Sequence, residues 1–437
     1  MVADGSRQPG RRSRVFAAAA GTLLAGWIAA SAAQLTTAIF EPDPVELDHP
    51  AIGYRVAPRT DPVAQLNARL LAGTATLAFD GPSGYLRSLL NTLDIPVESQ
   101  MAVFSKTSLQ GARVNPSNPR TIFFNDDVAV AWMRGGFIEI AAQDPRQGIG
   151  FYLLPQEAGM GPRLFPDGQC LGCHYSATAE GVPGLILRSI PTAADGATLP
   201  WLGNATMDHR TPAAERWGGW YVTGRHGSQP HLGNLTLSDR RAQELPAWSS
   251  SRTLTTLAGR FDTSSYLSEH SDIVALLVFQ HQARVMNLLT RAGWLARLAA
   301  AENPPPGAGA RLPPSVDELV DYLLFVGEAP LEDVSGTSGF AERFSARGPR
   351  DSKGRSLRDF DLKQRLMRYP CSYMVYSAAF DGLPDGVREL VYRRMKHILS
   401  GEERAPRYAH IASNGAAVIE ILRETKKNLP PWFCGSA

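Results

Sequence analysis

The chain has 437 residues, a formal net charge of +2 and 20% charged residues. That length supports two or three ordinary domains, and the near-balance of charge excludes the strong basic excess of a surface built for nucleic acid. Four cysteines in a chain of this size exclude a small disulfide-stapled scaffold.

The first segment carries an export signature. Arg11, Arg12 and Arg14 precede an uncharged run over 15–33, which closes on the small residues Ser31, Ala32 and Ala33. Basic, then apolar, then small is the order of a cleaved signal peptide, and the length also suits a retained N-terminal membrane anchor. Either reading places the rest of the chain in the periplasm or outside the cell. Residues 34–62 are rich in Pro and Asp and are expected to form a tether.

An α+β region is expected over 63–158. Leu66, Leu70, Leu71, Leu89 and Leu90 recur at helical spacing. The period then shortens, and 121–124, 128–133, 137–141 and 149–154 read as strands separated by polar and glycine-containing turns. They predict an N-terminal antiparallel β meander of three or four strands. Residues 159–250, dense in Gly, Pro, His and Trp, form a loop-rich region. A helical region over 251–302 is capped by Ser271 or Asp272 and carries Ile273, Leu276, Leu277, Val285, Leu288 and Leu289 on its apolar side. A Pro/Gly linker spans 303–314. The C-terminal part, 315–437, is helical, opening on the capping box Ser315-Val316-Asp317-Glu318, with Gly327 as a stop and further helices at 385–401 and 413–427. The expected fold class is α+β.

The chemistry concentrates at Cys170-Leu171-Gly172-Cys173-His174. C-x-x-C-H is the attachment signature of c-type haem. Each thiol adds to one vinyl group, the two-residue spacer sets the sulfurs apart on one turn, and the adjacent His falls beneath the iron as proximal ligand. A structural zinc site needs further ligands, and the sequence offers no second C-x-x-C. A thioredoxin-like redox pair follows a strand and opens a helix, whereas 165–168 reads as loop. A plain disulfide between Cys170 and Cys173 is the remaining rival. Cys371 and Cys434 are a separate candidate disulfide, suited to an oxidising compartment.

With Gly181-Val182-Pro183-Gly184 downstream, the motif resembles the attachment region of c-type cytochromes. Phe124-Asn125-Asp126-Asp127 and Arg216-Trp217-Gly218-Gly219-Trp220-Tyr221 resemble a family of large exported bacterial monohaem cytochromes c. The resemblance implies one covalent haem c, and a Pro183 carbonyl that accepts the Nδ1 proton of His174 so that Nε2 faces iron. It also implies a helix just before the motif, which this sequence does not show.

Small cytochromes c place a distal Met roughly sixty residues after the motif. No Met stands between Met207 and Met286, and the interval carries His209, His226 and His231 instead. His226 and His231, flanked by glycines that let backbone approach a flat ring, are the leading distal candidates. Met207, His209 and an iron without a protein ligand follow, with His270, His281 and Met286 after them. Arg225 is a candidate partner for a haem propionate. Six-coordinate iron implies one-electron transfer with a redox partner protein or a small-molecule donor or acceptor. Five-coordinate iron implies peroxidase-like catalysis, with His226 or His231 as acid–base. A haem-based sensor or docking module is the third reading, given the large non-haem mass.

Overall fold

The computed structural model describes residues 42–159, 161–245, 253–302 and 314–434. The export segment, the tether before residue 42, all but the last residue of the linker 303–314 and the Cys434 side chain lie outside the described residues.

The protein is α+β. Its main sheet has seven antiparallel strands: β1 (Met101–Val103), β2 (Arg120–Phe124), β3 (Val128–Trp132), β4 (Ile138–Asp144), β5 (Gly148–Leu154), β6 (Phe165–Pro166) and a late arrival, Trp220–Tyr221. Short strands fill the loop-rich stretch: β7 (Arg188–Ser189), β8 (Thr192–Ala193), β9 (Ala205–Thr206), then Trp220–Tyr221 as β10, β11 (Arg225–His226) and β12 (Thr236–Leu237). β13 (Val334–Ser335) pairs with β11. Across the main sheet the order is β10-β1-β2-β3-β4-β5-β6. The edges β10 and β6 therefore lie on opposite sides of the molecule's β layer.

Alternation gives the sheet two buried faces. Phe123, Val128, Val130, Trp132, Ile138, Ile140 and Tyr152 point to one face, where Leu66, Leu86 and Leu89 cover them. Those leucines come from two helices, Pro62–Leu71 and Leu86–Thr92, not one continuous run. Asp61 opens the first by accepting from the Val63 and Ala64 N–H groups, with Pro62 at the first helical position. Gly73, Gly81 and Gly84, all at positive φ, carry the break between the helices.

The other face, with Ile122, Phe124, Ala129, Ala131, Ile149 and Phe151, packs on the helix Ile273–Ala301. Asp272 caps this helix through Oδ1, which accepts from Val274 N at 2.8 Å and Ala275 N at 3.2 Å. Its other oxygen holds the Thr337 and Ser338 N–H groups at 2.8 and 2.9 Å. The helix is long and apolar enough to cross a membrane by length and composition, yet it is buried inside the protein. Helices Pro314–Leu323, Phe340–Ala346 and Asp385–Leu399 pack around it, and Gly415–Thr425 packs on the last of these. From Asp43 onward the described residues form one compact unit, so the expected regions are layers of one body.

One expectation changes here. Residues 43–62 do not hang free as a tether: Val45, Leu47, Ile52 and Tyr54 are buried against Val182 and Trp294. The apolar residues scattered among the prolines and aspartates are what seat this strap. Cys371 is a buried free thiol whose pKa desolvation pushes up.

The central helix also carries a buried polar pair. His281 and His209 meet Nδ1 to Nδ1 at 2.8 Å, and His281 Nε2 lies 2.7 Å from Ser372 Oγ. Burial, with Arg210 nearby, holds His281 down to about 3, and burial with His281 alongside holds His209 well below its ordinary value. Both rings are therefore neutral in the folded protein, while in the unfolded chain each titrates near 6.5. The unfolded state binds more protons below that pH, so stability falls as pH drops from about 6.5 toward 3. The expected loss is up to ~1.4 kcal/mol per pH unit per histidine. Urea unfolding of His281→Gln between pH 7 and 4.5 is expected to show a shallower pH slope than the wild type. An unchanged slope would mean that the pair does not titrate in this way.

Candidate functional site

The site begins at the sheet edge. Phe165 and Pro166 pair with Leu153 and Tyr152, and Asp167 N still reaches Phe151 O at 3.0 Å. This stretch is an edge strand, where the sequence suggested loop. Asp167 then turns the chain, its Oδ1 accepting from Gln169 N at 3.0 Å, and Leu171–His174 makes a single helical turn.

The two thiols differ. Cys170 is half-buried, its Sγ 3.4 Å from Asp167 Oδ2, and Cys173 is exposed. Desolvation, then the Asp167 carboxylate, push Cys170 up to about 12. A reactive dithiol needs a stabilised thiolate, so this environment opposes thioredoxin-like chemistry even though a strand precedes the turn. Among the described residues no three His, Cys, Asp or Glu side chains converge as metal ligands. Cys170, Cys173 and His174 therefore do not close around one ion, as a zinc site requires.

His174 is held twice by one residue. Its Nδ1 donates to Gly184 O at 2.9 Å, and its own carbonyl accepts from Gly184 N at 2.9 Å. A carbonyl can only accept, so the proton sits on Nδ1. Desolvation holds the ring below its ordinary pKa, which favours neutral imidazole. Nε2 is left with a lone pair and no hydrogen-bond partner among the described residues. The ring lies against Phe151 of β5, centroids 5.0 Å apart.

The accepting carbonyl belongs to Gly184 and not to Pro183. Pro183 bridges to Tyr175, and its carbonyl accepts from Ile149 N at 3.3 Å. The next carbonyl along this extended segment points back at His174, as alternation requires. Gly184 is itself fixed from the central helix. Asn287 Oδ1 accepts from Leu185 N and Asn287 Nδ2 donates to Leu185 O, both at 2.8 Å. A Cβ on Gly184 would lie 2.4 Å from that Oδ1, so no larger residue fits. On the outer side the strap closes the motif: Tyr175 Oη donates to Val45 O at 2.6 Å, and Leu171 and Tyr175 pack on the strap's apolar cluster.

Beside His174 the helix-side face of the sheet is only half-covered. Phe137, Glu139, Ala141 and Leu153 are partly exposed, unlike the buried Ala131 and Phe151 beside them. Glu139 forms an ion pair with Arg120 and accepts from Gln110 Nε2 at 3.2 Å.

The expected distal residues lie elsewhere. His226 Nδ1 donates to Gln229 O at 2.8 Å, and its ring meets His231 at 4.4 Å. Their segment is tied to the start of the central helix, where Ile273 N donates to Thr223 O at 3.0 Å. Asn287, which fixes the His174 side, is fourteen residues further on, about 21 Å at 1.5 Å per residue. Strand order agrees: five strand spacings separate β10 from β5, about 24 Å. Neither His226 nor His231 is brought to His174, and Arg225, exposed on β11 beside Ser335, stays on that far side too. Met207 Sδ accepts from Trp217 N at 3.1 Å, and His209 is held by His281. Arg120 and Glu139, close enough to act electrostatically on His174, were not singled out in the sequence; their positions on β2 and β4 show only in the paired sheet.

No protein-family model, curated protein or solved structure matches the chain.

The contrast between the thiols gives a direct test. In protein made without haem maturation, Cys173 is expected to react with iodoacetamide at pH 8 at least about tenfold faster than Cys170 and Cys371. Peptide mass spectrometry reads the order, and equal rates would contradict the environments described.

Proposed function

We propose that the chain is an exported c-type haem protein whose single haem is held covalently by Cys170 and Cys173, with His174 Nε2 as proximal iron ligand. The observation that carries this reading is the His174 geometry: on a C-x-x-C-H turn, Nδ1 is committed to a backbone carbonyl and Nε2 is open. The bound group would supply one-electron exchange at iron. The chain's own part is to fix the imidazole through Gly184 and to pack its ring against Phe151. Arg225, first read as a propionate partner, is remote from the motif, and the cation acting on His174 is Arg120, which is paired with Glu139. The exposure of Cys173 favours electron transfer, because a site at the surface is accessible to a redox partner protein or a small molecule. The basic, apolar and small-residue order of the first 33 residues supports export to the periplasm.

A second reading, catalysis at an open iron, is favoured by one observation. Every distal histidine first considered in the interval after the motif is held by other partners.

Expression in cells competent for cytochrome c maturation tests the proposal. Wild-type haem is expected to resist extraction by acidified acetone, and the double change Cys170→Ala, Cys173→Ala to release it. His226→Ala and His231→Ala are each expected to leave the visible spectrum unaltered, while His174→Ala perturbs it. A spectral change with either distal variant would restore the original ligand assignment. Extractable wild-type haem would overturn the covalent site.

A further inference from the structure

A hollow next to the motif belongs to no part of the function proposed above. It has a volume of about 500 Å³ and opens at the end of the sheet where β3 turns into β4 and β5 ends. Its wall includes Phe79, Trp132, Phe137, Leu153, Pro155 and Phe165. Phe79 and Phe165 are 40% and 38% exposed, unusual for rings of that size, and both face this hollow. Four aromatic rings around one opening give flat surfaces on which a flat ring can stack.

The polar content of the wall narrows the class of ligand. Glu157 and Gln156 are its charged and amide members, and no lysine or arginine lines it. The nearby Arg163 guanidinium is engaged over the Phe165 ring at 5.1 Å and is not part of the wall. Gln156 Oε1 already accepts from Tyr85 N at 3.0 Å. The one charged side chain in the wall is the Glu157 carboxylate, which disfavours an anionic ligand. The volume is within the range of small-molecule sites.

We propose that this hollow is a binding site for an uncharged, flat aromatic molecule of one or two rings, such as a quinone. None of Cys170, Cys173 and His174 lines it, so it is distinct from the attachment turn. It adjoins that turn nonetheless. Leu153 is two residues along β5 from Phe151, which touches His174, and Phe165 precedes Cys170 by one short turn. A ring bound there sits beside the motif, at the end of the sheet. The binding itself does not depend on the haem reading.

The test is calorimetric titration of the full chain, with its haem if it carries one, using 2-methyl-1,4-naphthoquinone as probe and following tryptophan emission in parallel. Saturable 1:1 binding is expected, with a Kd between about 1 and 100 μM. Leu153→Trp, which fills the hollow, and Phe165→Arg, a change on an exposed edge strand that folding tolerates, should each weaken binding by about tenfold or more. The anion 2-naphthoate should bind more weakly than the quinone. Binding that is absent, or untouched by both blocking variants, would overturn the proposal. So would loss of covalent haem in Leu153→Trp with the fold intact, because the hollow would then be the haem's own seat. The haem absorption band, recorded on the same samples, separates failure of this site from failure of the haem assignment.

Discussion

The bidentate hydrogen bond from Asn287 to the backbone of Leu185 is the constraint on which the site depends. It ties a loop-rich stretch to the interior of the most deeply buried helix in the protein. One residue earlier, Gly184 turns that fixed backbone toward His174 and holds both its ring and its carbonyl. A buried amide that satisfies a backbone N–H and C=O together costs on the order of 1–3 kcal/mol per group to remove. The loop is therefore held rigid at the His174 imidazole, although the turn itself is only four residues long. The strap over 43–62 closes the other side through Tyr175.

This arrangement explains why so much protein surrounds a five-residue motif. A compact cytochrome surrounds its haem with a few helices. Here the motif hangs on the edge of a seven-stranded sheet, and the sheet is held by a helix whose far end lies some 20 Å away. The far end is tied to the His226 and His231 segment, and midway along the helix sits the buried His209–His281 pair, with Arg216 donating to the His209 carbonyl. Their burial answers a packing problem around the central helix, and their sequence proximity to the motif is misleading for that reason.

Much of this was legible in the sequence because its causes are local. The Asp272 cap, the strand alternation from Thr121 and the thiol spacing are all short-range signals. Four features were not legible, each because its cause is long-range. The role given to Pro183 passes to Gly184 because the carbonyl direction is set by a bridge between Pro183 and Tyr175. The strap looked like a tether because its buried positions are separated by prolines and aspartates, leaving no period to read. His226 and His231 looked suited to the distal position by count along the chain, and only the order of strands in the sheet shows how far away they lie. Arg120 and Glu139 sit on different strands, and nothing in the sequence joins them before the sheet is paired.

The most direct test of the central claim is tandem mass spectrometry of the proteolysed chain, purified from the periplasm of cells that mature c-type cytochromes. The account predicts one haem-bearing peptide, containing Cys170 through His174, with both sulfurs substituted and no haem elsewhere. A peptide with two free thiols, or with Cys170 and Cys173 joined to each other, would contradict it.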